Sequence, residues 1–124
     1  MRPPARGAAI VPFNREMFCK EHNVPRSYAS ADEMLANEVL DIVSICLWPD
    51  LHAPMTIKVA ESGVKAIHCE KPMAPTFKEA KEMVAACKAN GVQLTFNHMR
   101  RFGAPFRKAK ELLDSGAIGQ LERV

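Results

Sequence analysis

The sequence predicts an α/β fold built on a parallel sheet, and three observations carry that reading. First, Asp41-Ile-Val-Ser-Ile-Cys-Leu47 is short, nearly all apolar and rich in β-branched residues. That is how a strand covered on both faces of a parallel sheet reads. Second, shorter apolar runs at Val64–Cys69 and Val92–Phe96 repeat the signal. Third, the intervals between these runs carry helix starts and stops. Strand and helix alternating at this spacing imply right-handed βαβ units.

Taken in order, residues 1–13 are rich in Pro, Ala and Arg and read as a loose arm, with a strand remnant at Ala8–Val11. Asn14 is placed to cap a helix running to about Glu21. Ser30 with Glu33 has capping-box spacing, so a short helix begins there. Trp48-Pro49-Asp50 breaks the first strong strand. A helix follows from about His52 to Ser62, with Gly63 in the C′ position. After the strand at Val64–Cys69, Glu70-Lys71-Pro72 ends the pairing. Thr76 with Glu79 is a second capping box, and Phe77, Ala80, Met83, Val84 and Cys87 share one helical face. Gly91 stops that helix. The strand Val92–Phe96 leads to Asn97-His-Met-Arg-Arg-Phe102. A last helix, about Pro105 to Ser115, is expected to turn Phe106, Ala109 and Leu112–Leu113 inward, with Gly116 closing it. Leu121–Val124 reads as the start of another strand.

Composition narrows the function classes. The 124 residues are 48% apolar and 25% charged, which suits a globular domain with its own core. Lys plus Arg number 17 against 14 Asp plus Glu, a formal charge of +3. That excess is too mild to point to nucleic acid or an anionic membrane, and no apolar run is long enough to span a bilayer. Cys19, Cys46, Cys69 and Cys87 form no C-x-x-C pair and match no zinc spacing. They read as small buried hydrophobes in a reducing, cytoplasmic compartment. Arg100, Arg101, Arg107, Lys108 and Lys110 form a basic patch; the charge excess is too weak for nucleic acid, so it reads as a solvated face, with Arg101 beside the cleft.

Ligands of an open parallel sheet bind beyond the carboxyl ends of its strands. Three exit loops therefore share one edge: Trp48-Pro49-Asp50-Leu51-His52, Glu70-Lys71-Pro72 and Asn97-His98-Met99-Arg100-Arg101. Lys71 follows a strand and is fixed by Pro72. In a cleft it would trade protons; the alternatives are an ion pair or plain solvation. Of the histidines, His98 lies on the binding edge and is the proton-transfer candidate. His22 suits a helix C-terminus, His68 is an interior or edge residue, and His52 starts its helix. A metal site from Asp50, His52 and His98 has no supporting ligand spacing, so no metal is expected.

Four segments resemble the Gfo/Idh/MocA oxidoreductases: Asp41–His52 with its Pro-x-x-His turn, His68-Cys-Glu-Lys-Pro-Met-Ala-Pro-Thr76, Asn97-His-Met-Arg-Arg-Phe102 and Ser115-Gly-Ala-Ile-Gly119. The resemblance covers roughly residues 18–124. It implies an incomplete Rossmann-like parallel sheet with flanking helices: a loose arm at 1–13, part of an NAD(P)-binding domain at 14–119, and the start of a substrate domain at 120–124. It implies NAD or NADP as cofactor and hydride transfer to or from a sugar, inositol or related polyol. Lys71 would touch the substrate hydroxyl and the nicotinamide ribose, with Glu70 and Pro72 shaping its loop. Pro49 and His52 would line the cofactor, beside Trp48. Asn97 and Arg101 would border the nicotinamide end.

The family's G-x-G-x-x-G turn, which binds pyrophosphate at a helix N-terminus, is absent: after Gly7 the next glycine is Gly63. Trp48 stands where the family often has a small residue. These departures lead to the expectation of a fragment with impaired cofactor binding. The competing reading is a non-catalytic module that binds a partner chain through an unfinished sheet; a homo-oligomer is left open.

Overall fold

A computed structural model describes residues 6–8 and 12–123. The described elements are β1 (Arg6–Ala8), α1 (Pro12–Glu21), β2 (Arg26–Tyr28), α2 (Ala31–Asn37), β3 (Ile42–Ile45), α3 (Pro49–Glu61), β4 (Ala66–Cys69), α4 (Phe77–Ala89), β5 (Gln93–Phe96), a 3-10 turn (Met99–Phe102) and α5 (Ala104–Asp114). All strand pairing among them is parallel: β1 with β2, and β3–β4–β5 as a separate sheet. The expected α/β architecture is present.

The three-stranded sheet is in simple register, with Ile45, Cys69 and Phe96 aligned at its carboxyl end. Successive side chains point to opposite faces. One face sends Val43, Ile45, Ile67 and Cys69 into a core with Val59 and Ala60 of α3 and Met83 and Cys87 of α4. The two helices pack on each other and on this face. The opposite face is open: Ile42, Ser44, His68, Gln93 and Thr95 are exposed. The expectation that the first strand is covered on both faces is therefore corrected. His68 is neither interior nor idle, since its Nδ1 lies 3.0 Å from Thr95 Oγ1.

The Thr76–Glu79 capping box forms as read, and the one at Ser30 forms in part, because the Glu33 carboxylate takes the Ala29 amide and not that of Ser30. Ser30 Oγ accepts from the Glu33 amide, and Glu33 Oε2 accepts from the Ala29 amide. Thr76 and Glu79 cap each other reciprocally. Gly63 and Gly91 take positive φ (87° and 68°) directly after their helices, a conformation that residues with a Cβ rarely adopt.

Several boundaries move. α1 starts at Pro12, so Asn14 lies inside the helix instead of capping it. α3 starts at Pro49: the proline that breaks the strand occupies the first helical turn, where its missing N–H costs nothing. The strand remnant is found at Arg6–Ala8, and residues 9–11 lie outside the described set. β2 and the 3-10 turn went unread. Residues 121–123 form no strand, and Val124 lies outside the described residues. Phe77 does not join the α4 core face; it is exposed, with the Lys81 ammonium 5.4 Å from its ring centre.

All four cysteines are free. Cys69 and Cys87 are buried as expected, and burial pushes the Cys69 thiol up to about 11 and raises that of Cys87. Cys19 is only half-buried and Cys46 is exposed, so the uniform reading of buried cysteines is corrected. No helix among the described residues is long and apolar enough to cross a membrane.

Candidate functional site

Parallel pairing of β3, β4 and β5 brings their three exit loops to one edge, as the alternation of elements demanded. The ladder continues past the strands: the Glu70 amide donates to the Ile45 carbonyl and the Asn97 amide to the Cys69 carbonyl, each at 2.9 Å. Glu70 and Asn97 thus emerge side by side.

The Glu70 carboxylate fastens two of the loops. Asn97 Nδ2 donates to its Oε1 at 2.6 Å, and the Lys71 amide donates to its Oε2 at 3.2 Å. These donors hold the carboxyl below its ordinary value, Asn97 first and then the Lys71 amide, against a smaller opposing effect of desolvation. A carboxylate engaged at both oxygens is a poor free base but a good staple. It sets the backbone from which Lys71 projects.

Lys71 itself is exposed, and no ion pair to its ammonium is found among the described residues. Of the alternatives open to this lysine, the ion pair is thus removed for this structure. The Lys71–Pro72 peptide is cis.

His52 lies underneath. It is 0% exposed, with Nδ1 2.7 Å from the Pro72 carbonyl oxygen and Nε2 3.0 Å from the Leu47 carbonyl oxygen. Both ring nitrogens meet backbone, so the ring offers neither to a bound molecule here. Around it the edge presents Trp48, 78% exposed at the start of α3, and half-buried Pro49. Across the edge, Asn97 is half-buried, while His98 and Arg101 are exposed on the 3-10 segment. The Phe96 and His98 ring centres stand 6.3 Å apart.

The structure therefore brings Trp48, Pro49, Glu70, Lys71, Pro72 and Asn97 to one edge, with His98 and Arg101 at its β5 end and His52 beneath. Sequence reasoning missed the Glu70–Asn97 staple and the His52 clamp. The staple was within reach, since Cys69 and Phe96 pair and the next residue of each must be neighbours. The clamp was not, because its partners are main-chain carbonyls. Within the basic patch, Lys108 pairs with Glu111 and Lys110 with Asp114 on the surface of α5. Among the described residues no group of three His, Cys, Asp or Glu side chains converges to hold a metal ion.

Residues 8–98 match the Gfo/Idh/MocA family, described as an oxidoreductase family with an NAD-binding Rossmann fold. Inositol 2-dehydrogenase 3 of Saccharopolyspora erythraea is 35% identical over 95 residues, 76% of this chain and 28% of that protein. The structure of myo-inositol 2-dehydrogenase from Lactobacillus plantarum superposes with a TM-score of 0.85 at 29% identity, covering 93% of this chain and 34% of that one. An oxidoreductase from Agrobacterium radiobacter, solved with NAD+, L-tartaric acid and magnesium, gives 0.87 at 27% identity, covering 94% and 34%. The chain spans between a quarter and a third of the length of the curated relatives it matches. Matched over most of its length, and carrying the Glu-Lys-Pro loop at the carboxyl edge of its sheet, the chain belongs to the Gfo/Idh/MocA family of NAD-binding oxidoreductases.

Proposed function

We propose that this edge is the part of an NAD(P)-dependent oxidoreductase where the nicotinamide end of the cofactor meets a hydroxyl of a sugar, inositol or related polyol. The observation that carries the reading is Lys71: an exposed ammonium without an ion-pair partner among the described residues, on a backbone fixed from one side by Glu70 and Asn97. Such a group can hold a substrate hydroxyl and stabilise charge on its oxygen as a proton leaves. His98, exposed at the β5 exit, is the second proton-transfer candidate. Trp48, Pro49, Pro72, Asn97 and Arg101 are assigned to the nicotinamide end. Glu70 and His52 serve it by holding the loop that carries Lys71. The cofactor, when bound, supplies the hydride acceptor or donor.

The residues of this edge fit one half of a dinucleotide. The other half needs backbone amides of a glycine-rich turn at a helix N-terminus, and none of the six glycines in the sequence lies in a G-x-G-x-x-G pattern. The chain as it stands should bind NAD(H) and NADP(H) poorly. Calorimetry checks this, and a dissociation constant in the low micromolar range, about −8 kcal/mol, would overturn it. The four free cysteines support a reducing, cytoplasmic setting.

A second reading, a module that binds a partner chain through its sheet, draws on one observation. β3 pairs only with β4 among the described strands, and Val39 shortly before it and Ile42 at its start are exposed. One experiment separates the two. Residues 28–124 are spliced into a complete relative and polyol oxidation by NAD+ is followed. Turnover supports the first reading, and a folded chimera without turnover favours the second.

A further inference from the structure

Of the four histidines, His52 alone is sealed from solvent. Its two ring nitrogens lie 2.7 Å and 3.0 Å from the Pro72 and Leu47 carbonyl oxygens. Both distances are hydrogen-bonding distances, and both partners can only accept. A ring with one N–H satisfies one carbonyl and turns a lone pair on the other. A ring with two satisfies both.

We propose that His52 is the positioning residue of the Lys71 loop, and that it holds this loop by donating from both ring nitrogens. One bond reaches the β3 exit at Leu47 and the other the β4 exit at Pro72, next to Lys71. Burying the extra charge costs free energy, and the nearby N-terminus of α3 disfavours a cation. Two charge-assisted hydrogen bonds oppose those costs. Removing one proton turns one tie into a clash of lone pairs. The position of the Lys71 loop and the proton count of His52 are therefore coupled.

The other titratable groups on the elements around His52 are already assigned. Cys69 on β4 and Cys87 on α4 are held as thiols by burial. Glu70 is engaged by Asn97 and the Lys71 amide. The Lys71 side chain and those of Cys46 and Asp50 are exposed. The coupling does not require Lys71 to meet a substrate, so its failure and that of the proposed function are separate results.

The test uses the chain without cofactor or substrate, labelled with 15N in its histidine rings, between about pH 5 and pH 9, where histidine charge changes. The expected result is two protonated nitrogens in the His52 ring wherever the amides of Lys71 and Met73 keep one position. Where one ring proton is lost, those amides shift with the same midpoint, while amides of α5 stay fixed. A ring with one bare nitrogen while the loop keeps its position overturns the proposal. So does a loop whose shifts ignore the ring. His52→Gln, whose side-chain amide donates from one end only, should place the loop amides at the shifted position at every pH. If that variant fails to fold, the titration of the unaltered chain decides alone.

Discussion

The slab formed by β3–β5, α3 and α4 and the helix α5 look alike as sequence and differ as structure. Both carry apolar residues at helical or strand spacing between clear start and stop signals. In the slab those residues are used: Ile67, Val59 and Met83 are at or below 1% exposed. α5 has no buried residue; it packs on the 3-10 turn, and Phe106 is 57% exposed. The expectation that Phe106, Ala109 and Leu112–Leu113 turn inward is corrected: Phe106 and Ala109 are exposed and the two leucines are half-buried. An amphipathic pattern states which face seeks cover. Whether cover exists depends on a neighbour that local sequence does not encode.

The widest separation between the two regions should appear in catalysis. In the chimera carrying residues 28–124, Lys71→Met is expected to lower turnover by roughly 10²–10⁴-fold, the usual worth of a positioned proton-transfer group. Lys71→Arg should not restore it, because a guanidinium stays charged and is shaped differently. Lys110→Met on α5, which removes only the exposed pair with Asp114, should leave steady-state rates unchanged. Turnover of the Lys71→Met chimera within about threefold of its parent, far short of the general acid–base range, would make Lys71 a structural residue.

Stability should divide along the same line. Ile67→Ala removes a side chain buried among α3, α4 and both neighbouring strands, and should cost about 2–5 kcal/mol. Phe106→Ala should stay within about 0.5 kcal/mol, as surface substitutions do. Urea unfolding of the two variants measures both. A loss above about 2 kcal/mol at Phe106 would mean that α5 is covered after all.

How much of this was legible follows from where each signal is stored. The parallel slab was legible because each strand carries its own apolar run and each helix its own cap. The N-terminal pair was half legible: Arg26-Ser-Tyr28 is too short and polar to announce a strand, and its partner Arg6–Ala8 is twenty residues away in register. The start of α3 was misplaced because proline signals both a break and a first turn. At the edge, Lys71 was legible from its place after a strand. Glu70 beside Asn97 was within reach once β4 and β5 were taken to end level, whereas the role of His52 depends on main-chain carbonyls that take their places only once the sheet has formed.

Helix caps give a smaller contrast. Thr76 accepts from the Glu79 amide and anchors a reciprocal box at the head of α4, whereas α5 begins at Gly103 with no side-chain cap. Thr76→Ala should cost about 1 kcal/mol in urea unfolding. A loss below a few tenths, the size expected where no cap is lost, would show that packing alone holds the start of α4.

The finest expected effect lies in the titration of Glu70. Its carboxyl is held below the ordinary value chiefly by the Asn97 side chain and next by the Lys71 amide. A depressed carboxylate stabilises the fold at pH values above the ordinary carboxylate range, and that contribution is lost as pH falls through the lowered value. Glu70 faces solvent in part, so its effect on stability is screened and small; the titration itself is the sharper observable. Asn97→Ala removes the larger of the two donors and leaves the Lys71 amide in place. The Glu70 carboxyl should then titrate at higher pH than in the unaltered chain, while still falling below an unperturbed glutamate. Carboxyl 13C shifts followed through the acid range read this directly. A Glu70 curve that does not move would mean that the two exit loops are not fastened through this carboxylate, and the backbone under Lys71 would owe its position to the His52 side of the site instead.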